Sequence, residues 1–195
     1  MSELNKYLIR LADGLIASAP KFEELDSAAG DGDLGITAGK IAEGIRSGIS
    51  TASGDPKSDL MLIGREISKS APSTFGTLFA TGFVRAASAV INNDDPKVNL
   101  ERALTAAYEG IAARGKAQLG ERTLLDALAP AIEALKNSTD LKSGLKNAAI
   151  AARRGATETA NMAPKHGRAG WIGDRAKGHE DAGANVVAAS LEAIC

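Results

Sequence analysis

Cysteine is almost missing from this chain. The single one, Cys195, is the last residue, so no internal disulfide can form and a reducing compartment, the cytoplasm, is the expectation. Aromatics make up only 4% of the 195 residues while Ala and Gly are abundant, which favours closely packed helices over a β-sandwich. Charge of either sign is not in excess: the net value of -1 removes any electrostatic case for nucleic acid or an anionic membrane as partner. No uncharged apolar run approaches the length of a membrane span. The opening MSELNKYLIRLADGLIASAP ends in small residues, as a cleavage site would, but Arg10 and Asp13 break its apolar part, so a signal peptide is not expected. Walker A, protein-kinase and G-x-S-x-G signatures are absent as well.

What is present is helical periodicity. Leu4, Tyr7, Leu8, Leu11, Leu15 and Ile16 predict an amphipathic helix that ends before Pro20. A second helix is expected from about Leu34 towards Ser50, and a third opens on Asp55-Pro56 as N-cap and first residue. SAPST interrupts it around Pro72, and Phe75, Leu78, Phe79 and Phe83 mark a fourth. The fifth ends near Gly115. The sixth carries Leu124, Leu125, Leu128, Ile132 and Leu135, with Pro130 expected to kink or split it. A seventh runs from Leu141 to about Asn161, and a last holds Val186, Val187, Leu191 and Ile194. No alternating strand pattern survives. The expectation is an all-α, eight-helix antiparallel bundle or barrel forming one domain over residues 1–195.

The most informative stretch is Asp26 to Gly39, DSAAGDGDLGITAG. Asp26, Asp31 and Asp33 repel one another, and their spacing does not align them on one face of a regular helix. They converge only if the backbone is irregular, which the interspersed glycines permit. A divalent cation would offset the repulsion. Without nearby His or Cys the donors are hard oxygens, and an EF-hand fails because Ala42 stands where its bidentate Glu is required. Mg²⁺ fits better, its shell completed by phosphate. Asp33 is an N-cap candidate for the helix that follows, and the first-turn amides of Leu34 to Thr37 could face that phosphate. Gly30, Gly32 and Gly35 match G-x-G-x-x-G, but the preceding KFEELDSAA is no strand and the intervening aspartates would repel a bare pyrophosphate. A solvated acidic turn is the plain alternative.

Two other segments stand out. In GKAQLGERTLLDALAPA, from Gly115, Gly120 and Thr123 lie where a ligand could approach backbone, and Asp126 is expected at the surface or in a cap network. KHGRAGWIGDRAKGHEDAGAN, from Lys165, is long, cationic and carries Trp171; with the aspartate loop it could face a Mg-nucleotide. Its histidines, His166 and His179, lack a second His or Cys at ligand spacing.

Taken together, LDSAAGDGDLG, TFGTLF, GERTLLDALAPA and GRAGWIGDRAKGHEDAGA, in this order, resemble the nucleotide-binding (L) subunit of dihydroxyacetone kinases over nearly the whole chain. The resemblance implies an eight-helix barrel with a nucleotide pocket at one end. It implies ADP or ATP with two Mg²⁺ ions on Asp26, Asp31 and Asp33, and phosphates at Leu34, Gly35, Ile36 and Thr37. Further contacts would come from Ser70, Ala71, Gly115, Leu124 and Arg168, and from Asp181, Ala182 and Gly183. Arg168 would offset charge during transfer. Leu34 stands where many members have His, DAG replaces DPG at Asp181, and SKSAPS replaces GGASG, so Ser70, Ser73 and Thr74 are all open as the phosphate contact. The implied partners are a substrate-binding K-type subunit holding the ketone and, in one donor scheme, a phosphotransferase-system protein that recharges bound ADP. A homodimer is allowed; nucleic acid and membrane are not expected. The rival readings are a regulatory module that binds nucleotide without catalysis and a helical bundle that binds metal alone.

Overall fold

Six helices begin in the same way, with a Ser or Asp whose side chain accepts from the amide three residues on. The capping residues are Ser2, Asp55, Ser73, Asp95, Asp140 and Asp181. Each such cap contributes about 1 kcal/mol and fixes where the chain turns into helix. In the computed structural model, which describes residues 2–167, 170 and 178–195, these helices are α1 (Glu3–Ala29), α3 (Pro56–Ser70), α4 (Thr74–Ala89), α5 (Pro96–Gly115), α7 (Leu141–Glu158) and α8 (Ala182–Ile194). Between them lie α2 (Leu34–Ser50) and α6 (Leu125–Lys136), and a 3₁₀ turn (Thr159–Asn161) closes α7. There is no strand among the described residues, so the all-α expectation holds. Nor, among them, is any helix long and apolar enough to cross a membrane.

The stop expected before Pro20 and the split allowed at Pro130 are not seen. α1 does not stop before Pro20 but runs through it to Ala29. An interior proline costs about 3 kcal/mol; beyond it the helix buries Phe22, Leu25 and Ala29, and each large apolar side chain returns ~1.5–3 kcal/mol. Burial therefore outweighs the lost hydrogen bond. α6 likewise passes through Pro130 as one helix. Pro130 has no N–H for the carbonyl of Asp126 four residues back. Gly155 of α7 packs against that carbonyl: a Cβ there would lie 2.3 Å from the Asp126 oxygen and 3.0 Å from Pro130 Cγ.

Each helix packs on its neighbours in sequence, and α8 packs on α1, α6 and α7, closing the ring. Two apolar clusters fill it. One joins α1 to α4, with Leu15, Phe22, Ile41, Ile45, Ile63 and Ile67. The other joins α5 to α7 and is rich in alanine, with Ala127, Ala131, Ala148, Ala152 and Ala156 among Leu125, Leu128 and Leu135. α8 is the seam, placing Val186 and Ala189 in the first cluster and Val187, Ala188 and Leu191 in the second. The up-and-down order has one consequence for function. The N-termini of α2, α4, α6 and α8 and the C-termini of α1, α3 and α5 meet at the same end.

Candidate functional site

That end is open. A cleft of about 1090 Å³ lies there, lined from α1 and its loop by Leu25, Asp26, Gly30, Asp31 and Asp33, and from α2 by Leu34 and Thr37. Ser73, Thr74 and Phe75 at the start of α4, Arg114 and Gly115 at the end of α5, and Asp181 to Gly183 at the start of α8 complete much of the wall. Four helix N-termini give this end a surplus of partial positive charge and unpaired amides, the setting in which anions bind.

α2 and α6 are the described helices whose N-cap residue makes no side-chain capping bond, and each is held by other side chains at the cleft. For α2 the expectation that Asp33 caps it is corrected: Asp33 makes no capping bond, and Asp26 does so from the last turn of α1. Its Oδ2 accepts from the amides of Asp33 (2.9 Å) and Leu34 (3.2 Å). The Thr37 amide bonds the Asp33 carbonyl, so of the four first-turn amides those of Gly35 and Ile36 are the ones whose helical acceptors lie outside the helix. At α6 the Thr123 hydroxyl accepts from the Leu125 amide (3.2 Å), and Asp126, in the first turn of the helix, reaches back to the turn before it and is buried rather than at the surface. Its two carboxylate oxygens accept from Gly120 N (2.5 Å) and Thr123 N (2.7 Å), the cap-network role that the sequence allowed.

The irregular backbone between α1 and α2 does bring the three aspartates together. Gly32 sits at φ 75, a left-handed conformation that favours glycine. One carboxylate oxygen each from Asp26, Asp31 and Asp33 lies within 4.8 Å of the others, an all-oxygen set suited to a hard divalent ion. Asp26 is half-buried and the other two are exposed. Burial pushes the Asp26 carboxyl above its usual range; the two amides it holds work against this and the charges of Asp31 and Asp33 reinforce it. Across the cleft, burial pushes Asp181 up to about 6, against the opposing pull of its bond from the Ala184 amide (2.7 Å) and the Arg122 charge. Among the described residues, with Glu180 the lining holds five carboxylates, against the guanidinium groups of Arg114 and Arg122 and the imidazole of His166. A cation would relieve that imbalance.

Of the other expected contacts, Leu34, Thr37, Gly115, Leu124, Asp181, Ala182 and Gly183 line the cleft. Gly35 is buried and Ile36 is exposed beside it on the first turn of α2. In the SKSAPS segment the Ser70 hydroxyl donates to the carbonyls of Glu66 and Ile67, and Ala71 is buried; the residues of this region that line the cleft are Ser68, Pro72, Ser73 and Thr74. Arg168 and Trp171 lie outside the described residues. At the near end of the same segment, Lys165 and His166 reach Glu121, with His166 Nε2 2.6 Å from Glu121 Oε2. This contact, with the Gln118 amide, holds the Glu121 carboxyl down at about 2.

Among the lining residues that the sequence did not single out, Arg122 stands apart. Arg122, between Glu121 and Thr123, is only 2% exposed and has φ 58. Its position between the capped amides of Gly120 and Thr123 is legible as a turn; its burial is a property of the folded ring alone.

Comparison with known proteins agrees with this geometry. Residues 28–195 match the DAK2 domain family. The ADP-binding subunit DhaL of the PEP-dependent dihydroxyacetone kinase of Escherichia coli K12 is 28% identical over 192 residues, covering 95% of this chain and 91% of its own. The ADP-binding subunit DhaL of PEP-dependent dihydroxyacetone kinase 2 of Listeria innocua is 32% identical over 176 residues, covering 82% of this chain and 77% of its own. In structure, the dihydroxyacetone kinase of C. freundii superposes with a TM-score of 0.80 at 24% identity, covering 99% of this chain but 34% of that one. The same enzyme has been solved with AMP-PNP and Mg²⁺. An all-helical ring with three converging carboxylates at its open end, matched along most of its length, places the chain in the DAK2 domain family, as a member of the DhaL type.

Proposed function

We propose that this chain is the nucleotide-binding subunit of a kinase acting on a small ketose of the dihydroxyacetone type. It would hold ADP or ATP with Mg²⁺ and deliver the γ-phosphoryl group to a hydroxyl of a ketone bound by a separate K-type subunit. The observation that carries this reading is the convergence of Asp26, Asp31 and Asp33 within 4.8 Å at the mouth of a cleft ringed by helix N-termini. The relatives described as ADP-binding subunits and the C. freundii enzyme solved with AMP-PNP and Mg²⁺ support it.

The chemistry asked of this chain is positioning and charge neutralisation. Asp26, Asp31 and Asp33 would hold the magnesium, two ions by the resemblance, which supplies Lewis-acid neutralisation of the phosphate charge. Asp26 does two jobs: it offers a ligand oxygen and pins the start of α2 through the amides of Asp33 and Leu34. The amides of Gly35 and Ile36 then stand as donors to phosphate. Ser73 and Thr74 supply hydroxyls from the opposite wall, in place of the Ser70 hydroxyl that is engaged within its own helix. Arg168 would offset charge as the bond to the leaving phosphate breaks. No general base is required from this chain. ADP that stays bound would be recharged by a phosphotransferase-system protein, whereas exchanging ATP would need none; ADP that survives gel filtration marks the first scheme.

The test is reconstitution. Mixed with a K-type subunit, ATP or a phosphotransferase-system donor, and dihydroxyacetone or a tetrose ketone, the chain is expected to support formation of the ketose phosphate. Bound nucleotide without turnover under every donor would instead identify a regulatory subunit.

A further inference from the structure

Arg122 carries two costs at one residue. Its guanidinium is buried, yet only NH2 has an acceptor, the His179 carbonyl at 2.7 Å; Nε and NH1 have none among the described residues. A buried charged donor left without a partner is among the more expensive arrangements in a protein. Its backbone also sits at φ 58, which costs a non-glycine residue about 1–2 kcal/mol. Such costs persist where surrounding structure enforces them, and here Asp126 does, by holding the amides on either side at Gly120 and Thr123.

Arg122 lines the cleft. The nearest charge it feels is Asp181, but the two form no hydrogen bond, although a carboxylate beside a guanidinium would ordinarily pair with it. Asp181 also feels the charges of Asp126 and Asp26. The guanidinium therefore belongs to the wall of the cleft that the three aspartates also line, with two buried nitrogens that have no acceptor among the described residues. An oxyanion is the group that fits a planar cationic fork with free donors.

We propose that Arg122 is a phosphate-contacting residue of this cleft, meeting the same polyphosphate whose magnesium Asp26, Asp31 and Asp33 would hold. The proposal rests on the nucleotide reading above. Because the same side chain holds the His179 carbonyl just before α8, phosphate on Arg122 would also brace the turn that leads into Asp181.

Calorimetric titration of the full chain with Mg·ATP, and ligand-observed NMR with adenosine, test it in wild type, Arg122→Met and Arg122→Lys. The expected result for Arg122→Met is a loss of about ten- to a hundredfold in Mg·ATP affinity. Adenosine binding should be unchanged, and the unliganded melting temperature undiminished, since an unpaired buried charge has been removed. Arg122→Lys keeps a charge that can still reach the His179 carbonyl but loses the fork; it should lose Mg·ATP affinity severalfold and bind adenosine normally. That variant decides the matter should the Met variant fold poorly. Undiminished Mg·ATP affinity in both variants, or equal losses for Mg·ATP and adenosine, would overturn the assignment and make Arg122 a strut for the 178–181 turn. A wild-type chain that does not bind Mg·ATP at all would overturn the nucleotide reading itself.

Discussion

Gly155→Ala sets two ordinary expectations against each other. Gly155 lies inside α7, where alanine is the better helix former by roughly 1 kcal/mol. Its new methyl group, however, would sit 2.3 Å from the Asp126 carbonyl oxygen, 3.0 Å from Pro130 Cγ and 3.2 Å from Ala127 Cα. Two of these three atoms are backbone and the third belongs to a proline ring, so none can swing aside. Overpacking of this kind costs ~1–3 kcal/mol or more, and it must push α6 off α7 to be relieved. The net expectation is a loss of about 2 kcal/mol, or a melting temperature roughly 4–8 °C lower for a chain of this size. The displacement reaches the cleft, because the residue being pushed is Asp126, whose side chain holds Gly120 and Thr123; Mg·ADP affinity should therefore fall too. Gly39→Ala is the matched control. It is also inside a helix, but nothing lies within 4 Å of the added Cβ, so only the propensity gain remains and the melt should rise by about 2–4 °C. Calorimetric or circular-dichroism melts of the pair decide it. A Gly155→Ala protein as stable as wild type would refute the claim that the α6–α7 contact at Pro130 is backbone-tight.

Asp181 gives a pH dependence with a definite sign. Burial raises its pKa from 3.8 to about 6, so between those values the folded protein keeps a proton that the unfolded chain has released. Stability should therefore fall as pH rises across that window and stay reduced above it. Asp181→Asn, which can still cap α8, should be more stable than wild type by ~1–3 kcal/mol at pH 7.5 and lose that advantage near pH 4; a gap independent of pH contradicts the burial argument. Asp26→Ala should cost about 1–2 kcal/mol in urea denaturation through loss of the α2 cap, while Asp26→Asn, which keeps an acceptor, should cost clearly less; equal costs would show that the amides of Asp33 and Leu34 do not depend on that oxygen. Glu121 has its pKa lowered from 4.5 to about 2, so its contribution is present above 4.5 and lost as pH falls towards 2. Glu121→Gln should move the acid-unfolding midpoint to higher pH, and an unmoved midpoint argues against the contact with His166.

Most of this architecture is legible in the sequence because it is written locally. Asp55-Pro56, Asp95-Pro96, Ser73 and Asp140 announce their helices through caps that act within one turn. The aspartate loop is legible for a similar reason: like charges crowded among glycines ask for a cation wherever they are found. What was misread depended on distant partners. Pro20 read as a helix end and Pro130 as a kink or a split because local rules count the missing hydrogen bond, whereas the burial of Phe22 and Leu25 and the close approach of Gly155 are tertiary. Asp33 looked like the cap of α2 because it precedes it; the true acceptor, Asp26, is seven residues earlier and reaches back from another helix. Ser70 looked available because its hydroxyl's turn back onto Glu66 and Ile67 carbonyls is a rotamer choice. Arg122 gave no periodicity, spacing or charge cluster to notice, since burial of one arginine in a turn follows only from closing the ring.

The central claim is that the aspartate cluster grips magnesium and, through it, a polyphosphate. Isothermal titration of ADP into wild type and Asp31→Ala, each with magnesium and with chelator, measures this directly. The account predicts tight binding in wild type with magnesium only, and loss of binding in Asp31→Ala with helix content unchanged. ADP affinity that is the same in the variant, or the same without magnesium, would contradict it.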